Sequence, residues 1–274
     1  MRTGTFLTLA TLLLAAGCGT RESETAANAA PANEAGNVVN VTDGEPEEEG
    51  APAGNTEVSA GSGDISFRYS WPKEATAIAE LDGWLRGNAE RLKTETLNKG
   101  AANEKDAKAN DYPFVGYSYS EDWTTVANVP ALLILQSDGY SFTGGAHGMP
   151  VVTALFWDKA AKKRLATGAI FDMPKLAAAM KDRFCKALDA ERAKKRGGPA
   201  NPDQLSQFDE CVDVTKQTIL PVSLKGGALD AVRVVIMPYE AGPYAEGIYE
   251  LDFPIDAALR GAVKPAYQGA FGAS

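Results

Sequence analysis

Apolar and polar positions change rhythm several times along this chain. Ile65-Ser-Phe-Arg-Tyr69 alternates, the period of a half-buried strand. Pro72 suits the first turn of a helix. Ile78, Leu81, Leu85, Ala89 and Leu92 then recur at helical spacing beside Trp84, predicting an amphipathic helix over 73–98 that ends near Gly100. Residues 98–111 are polar and read as a loop. Val115, Tyr117 and Tyr119 alternate with small polar residues, and 131–136 is an apolar run. The alternation resumes at Tyr140 and Phe142, 151–157 is a second apolar run, and 158–164 is a polar turn. An antiparallel meander is expected there.

Helical rhythm returns at Asp172, a helix cap with Pro174 in the first turn. Leu176, Met180, Phe184 and Leu188 form its apolar stripe, Lys194, Lys195 and Arg196 suit its C-terminal dipole, and Gly197 ends it. Asn201, Pro202 and Gln204 form a second cap, and Leu205, Phe208, Val212 and Ile219 predict the buried face of a second helix. The last strands fall at 232–237 and 248–253. Asp256 caps a short helix, and the tail after Ala262 reads as loose. Helices and strands follow no strict βαβ order, so the expected class is α+β: antiparallel sheets with packed helices, in two small subdomains.

Charge redraws the boundaries. The chain of 274 residues carries a net −9, and most of that lies in 19–63, which has nine acidic residues against Arg21 alone. That segment has no aromatic residue and is rich in Ala, Gly, Asn, Pro and Glu, so it reads as a disordered acidic tether. From residue 64 onward the charge is nearly balanced. Without a basic excess, nucleic acid is not an expected partner. The organisation expected is a leader over 1–18, the tether over 19–63, subdomains at 64–165 and 166–262, and a tail at 263–274.

The leader has a basic start, Arg2, an apolar run shorter than the roughly 20 residues a span needs, and small residues before Cys18. This is the layout of a bacterial lipoprotein signal, so Cys18 is the expected lipidation site and the membrane the expected partner through that lipid. Gly19 stands where Asp would retain the protein at an inner membrane, which points to an outer membrane facing the periplasm. In an exported protein Cys185 and Cys211 most simply pair. Two buried free thiols are the alternative.

Two segments hold the candidate chemistry. Tyr140-Ser-Phe-Thr-Gly-Gly-Ala-His-Gly148 contains the single histidine, His147, after Gly144 and Gly145. Either the loop presents Tyr140, Phe142 and His147 to a partner, or His147 locks a turn. Pro238-Tyr-Glu-Ala-Gly-Pro-Tyr-Ala-Glu-Gly247 is a stiff loop with aromatic edges, Tyr239 and Tyr244. Its tyrosines suit recognition, or pack inward. One histidine excludes a two-histidine metal site within a single chain. No nucleophile elbow, P-loop or dinucleotide pattern occurs, and no cofactor is expected.

These two segments resemble the hallmarks of an extracytoplasmic domain family of uncharacterised function, found at the C-terminus of the anti-sigma factor RsiV and the N-terminus of the deacetylase PdaC. The stretch Leu165–Phe171 fits a third, shorter motif. Ala241 and Gly242 replace an apolar pair usual in that family. The resemblance covers about 64–260. It implies an α+β fold of two subdomains in cell-envelope biology, and for the anti-sigma relative it implies lysozyme as a ligand. Deacetylation belongs to a separate metal-dependent domain with two histidines and is not implied here. The expected function is therefore a lipid-anchored, non-catalytic domain that binds a lysozyme-like protein or peptidoglycan through Tyr140, Phe142, Gly144, Gly145, His147, Tyr239 and Tyr244. A wall-polymer hydrolase using His147 is the alternative.

Overall fold

Alternation in Ile65–Trp71 does make a strand, and its buried side, Phe67, Tyr69 and Trp71, sets the plane of the first sheet. A computed structural model describes residues 54–199 and 207–272, all within one compact unit, Glu49–Ser274. The leader, Cys18 and most of the tether lie outside the described residues. No helix among those described is long and apolar enough to cross a membrane.

Six strands form the first sheet in the order of the chain: β1 (Thr56–Ser62), β2 (Ile65–Trp71), β3 (Tyr117–Asn128), β4 (Leu132–Phe142), β5 (Met149–Asp158) and β6 (Lys163–Leu165). β2 and β3 are parallel, joined by the short α1 (Lys73–Thr76) and the long α2 (Ala79–Ala109). The other pairs are antiparallel. Leu81, Leu85 and Ala89 of α2 pack with Phe67, Tyr69, Trp71, Trp123, Leu133, Leu135, Leu155 and Trp157 on one face of the sheet. There the Trp123 indole donates to the Tyr69 hydroxyl at 2.7 Å, so the aromatic core leaves neither group unpaired.

Two boundaries depart from the expectation. β1 falls inside the segment read as tether; Thr56 to Ser62 pairs residue by residue with Trp71 to Ile65. Its small polar composition suits an edge strand, which needs backbone partners more than apolar cargo. The helix also runs on through Gly100 to Ala109. Gly100 is buried against Ile65, and a Cβ there would lie 2.8 Å from the Ile65 side chain. This glycine permits close helix–strand approach and does not end the helix. Beyond it the polar residues face solvent, and pairs such as Glu104–Lys108 (2.6 Å) support the exposed turns.

The second sheet is antiparallel: β7 (Thr218–Val222), β8 (Ala231–Ile236) and β9 (Tyr249–Pro254). After the single turn α3 (Thr167–Ile170) comes α4 (Met173–Arg196), capped by Asp172, whose carboxylate accepts from the Lys175 amide, and stopped by Gly197 at φ 73°. Its stripe Leu176, Met180, Phe184 and Leu188 is buried on this sheet, together with Leu132, Ile134 and Phe156 from the first sheet's other face. β6 ends at Leu165, and the core beneath it is common to the chain on both sides of that point. The α+β class holds.

The second helix expected after Asn201 does not form in the described residues; Asn201, Pro202, Gln204 and Leu205 lie outside them. Gln207–Asp209 and Val214–Lys216 are single 3-10 turns, and Ile219 belongs to β7. Helical spacing of apolar residues was present, but the carbonyls of Asp209 and Glu210 accept from Arg192. Nor is the tail loose. After α5 (Ala257–Ala262), capped by Asp256, Val263 bridges to Phe171, and Phe271 bridges to Leu229 and packs edge-on to Phe171. Burial of one aromatic ring anchors a segment whose remaining residues look dispensable.

Candidate functional site

The hairpin connection between β4 and β5 carries the glycine-rich motif. Gly144 and Gly145 sit at φ 90° and 103° with open space around them, so the backbone angle alone demands glycine. Gly148 is needed for a different reason. Its amide donates to the Tyr140 hydroxyl at 2.8 Å, and a Cβ there would overlap the Tyr140 ring. Tyr140 is thereby a strut beneath the loop. Phe142, paired with Ser118, points toward Gly116 and makes no ring contact with His147, Tyr239 or Tyr244.

His147 stands exposed at the tip. Its Nδ1 lies 2.9 Å from the Gly148 carbonyl, and its Nε2 lies 3.1 Å from the Tyr239 hydroxyl. A carbonyl only accepts, so Nδ1 carries the proton, and in the neutral ring Nε2 accepts from Tyr239. The imidazole stacks on Tyr244 at 3.7 Å between centroids, tilted by 20°, and Tyr239 lies 5.9 Å from Tyr244. Two loops roughly a hundred residues apart thus build one aromatic surface. His147 fastens its turn through the Gly148 carbonyl and at the same time faces solvent.

Tyr239 is 49% exposed and occupies the left-handed region at φ 71°, a conformation costly for a bulky residue. Its amide donates to the Gly242 carbonyl. The surrounding loop is strapped down by α4. Arg192, buried to 3%, donates to the carbonyls of Ala241 (2.9 Å), Asp209 and Glu210. Lys195 donates to the carbonyls of Glu246 and Ile248 (2.7 Å), and Arg196 joins Glu246 (2.7 Å) to Asp209.

Glu246 also accepts from the Tyr249 hydroxyl. Burial raises the Glu246 carboxyl, but the Arg196 and Tyr249 hydrogen bonds and the Arg196 charge outweigh it and hold it below its usual pKa. Burial, reinforced by that carboxylate, pushes Tyr249 up to about 12. The substituted pair also has a reason: Ala241 is fully buried, and a Cβ on Gly242 would overlap the Glu246 carboxylate. An ion-paired carboxylate therefore occupies the space above Gly242.

Cys185 of α4 is bonded to Cys211, closing a loop across 26 positions and holding the Asp209–Glu210 segment against the same helix. The disulfide is the expected pair, but it joins α4 to a non-helical segment and not to a second helix. Lys195 and Arg196, expected only as dipole partners for the end of α4, instead strap the 238–247 loop. A basic cluster in the last helical turn ahead of an acidic loop was the available signal. Among the described residues no cluster of His, Cys, Asp or Glu could hold a metal ion.

Residues 62–150 match the family model described as Deacetylase PdaC. The first motif lies inside that span and the second outside it. Two solved structures of DUF3298 family proteins are similar over most of the chain. One, from Bacteroides fragilis, has a TM-score of 0.51 at 13% identity, covering 79% of this chain and 95% of that one. Another, from Pseudomonas aeruginosa, has a TM-score of 0.45 at 20% identity, covering 80% and 95%. No curated protein matches. The match over 62–150 agrees with the resemblance to PdaC/RsiV-type domains, and the Bacteroides structure shows the fold alone.

Proposed function

We propose that this chain is a lipid-anchored envelope protein whose domain binds a cell-wall glycan or a lysozyme-like protein without catalysing a reaction. The observation that carries the reading is the Tyr239–His147–Tyr244 surface. Three rings from two loops meet there, His147 and Tyr239 exposed and Tyr244 half-buried between them and the loop, and Tyr239 is kept in a strained backbone conformation. Flat aromatic faces with hydroxyl and imidazole edges suit stacking and hydrogen bonding to sugar rings, or to basic side chains of a protein. The hydrolase alternative is less well served: His147 spends its nitrogens on a carbonyl and a phenol, and no carboxylate is among those partners.

Titration with peptidoglycan fragments and, separately, with lysozyme tests the proposal. Tyr244→Ala or His147→Ala should weaken binding about tenfold while the melting temperature stays within about 2 °C. Absence of saturable binding to either ligand at micromolar protein would remove the proposal.

A further inference from the structure

A cleft of about 810 Å3 lies where the α1–α2 corner faces the β5–β6 turn. That size falls within the roughly 300–1,000 Å3 of small-ligand sites. Its floor is apolar: the half-buried Ile78 beside the edges of the core residues Leu133 and Trp157, cross-strand partners in β4 and β5. Its walls carry three ammonium groups, Lys73, Lys159 and Lys162, and two carboxylates, Glu74 and Glu80.

The charges are not all matched. Lys162 pairs with Glu80 at 3.4 Å, and Glu74 accepts from the Thr125 hydroxyl. Lys159 donates to the Asn128 side-chain oxygen and the Val129 carbonyl, both at 2.6 Å. Neither acceptor is charged. Among the described residues Lys159 and Lys73 have no ion-pair partner. Burial holds the Lys159 ammonium below its usual pKa, the mark of a charge that lacks a counter-ion. Two neutral acceptors aim the head group and leave one N–H bond unused. The first turn of α2 opens on the same rim, and Ile78 at its cap offers no side-chain acceptor.

We infer that this cleft binds a small organic carboxylate, its anion on Lys159 and Lys73 and its apolar body on Ile78, Leu133 and Trp157. The lining has one cation in excess of its anions, which a monoanion balances and a phosphate dianion exceeds. Hexanoate, hexanol and inorganic phosphate are the probes, titrated into the full-length protein by calorimetry and tryptophan fluorescence. Hexanoate should bind saturably and about tenfold more tightly than hexanol, with phosphate weaker still. Lys159→Met should abolish the preference for hexanoate over hexanol. Lys73→Gln, at an exposed position where folding is not at stake, should weaken hexanoate about threefold. Equal affinity for hexanoate and hexanol, tighter binding of phosphate, or an unchanged hexanoate affinity in Lys73→Gln would overturn the inference.

Discussion

The two loops that meet at the aromatic surface are held in opposite ways. The β4–β5 connection is self-sufficient. Gly144 and Gly145 supply the backbone angles, and the Tyr140 hydroxyl holds the Gly148 amide from within the same hairpin. The 238–247 loop makes turn bonds of its own but is also braced from outside. Arg192, Lys195 and Arg196 bind the Ala241 and Glu246 carbonyls, the Glu246 carboxylate and the Ile248 carbonyl just beyond the loop, from a helix some fifty residues earlier. A recognition surface assembled this way has one half set by local chain chemistry and one half set by tertiary packing. Damage to α4 should therefore disable only the second half, unless the shared core gives way.

Arg192→Met is the severest way to break the strapped side. It leaves the buried Ala241 carbonyl and the part-buried Asp209 and Glu210 carbonyls without their donor, and a loss of about 3 kcal/mol is expected in urea unfolding. On the self-sufficient side, Gly148→Ala forces the new methyl into the Tyr140 ring. About 2 kcal/mol should be lost, with the hairpin resonances shifted and those of 238–247 unchanged apart from Tyr239 and Tyr244.

Glu246→Gln separates the loops by pH. Because the Glu246 carboxyl is held below its usual value in the fold, its contribution is present above about pH 4.5 and is lost as pH falls through its folded pKa. The variant should be about 1 kcal/mol less stable at pH 7, and the gap should close in acid. A gap independent of pH would show that the carboxylate charge does not matter to the strap.

The smallest effect sharpens the comparison most. Tyr239→Gly removes a left-handed tyrosine, so the stability change should be under about 1 kcal/mol in either direction. If the ring is there for recognition, ligand binding should fall about tenfold all the same. Unchanged binding would make Tyr239 a packing residue and shrink the surface to His147 and Tyr244.

Much of this was legible in the chain. Period-two alternation located β2, short apolar runs located β4 and β5, and the stripe Leu176, Met180, Phe184 and Leu188 located α4 with both caps, because local steric and hydrogen-bonding rules act within a few residues. The two motifs named His147, Tyr239 and Tyr244 as candidates. What failed did so where distant partners overrode local signals. β1 is a strand only because β2 offers its edge. Gly100 continues a helix because Ile65 needs the space. The segment around Cys211 is not helical because the disulfide and Arg192 claim it.

By itself, then, the sequence determined the class of fold, the turn that carries His147 and the glycines that permit it, since those depend on backbone angles of adjacent residues. Only the tertiary structure decided that His147 stacks on Tyr244 and bonds to Tyr239, and that α4 braces the loop carrying them. Contacts between residues a hundred positions apart depend on how two sheets and a helix share one core, which no local pattern encodes.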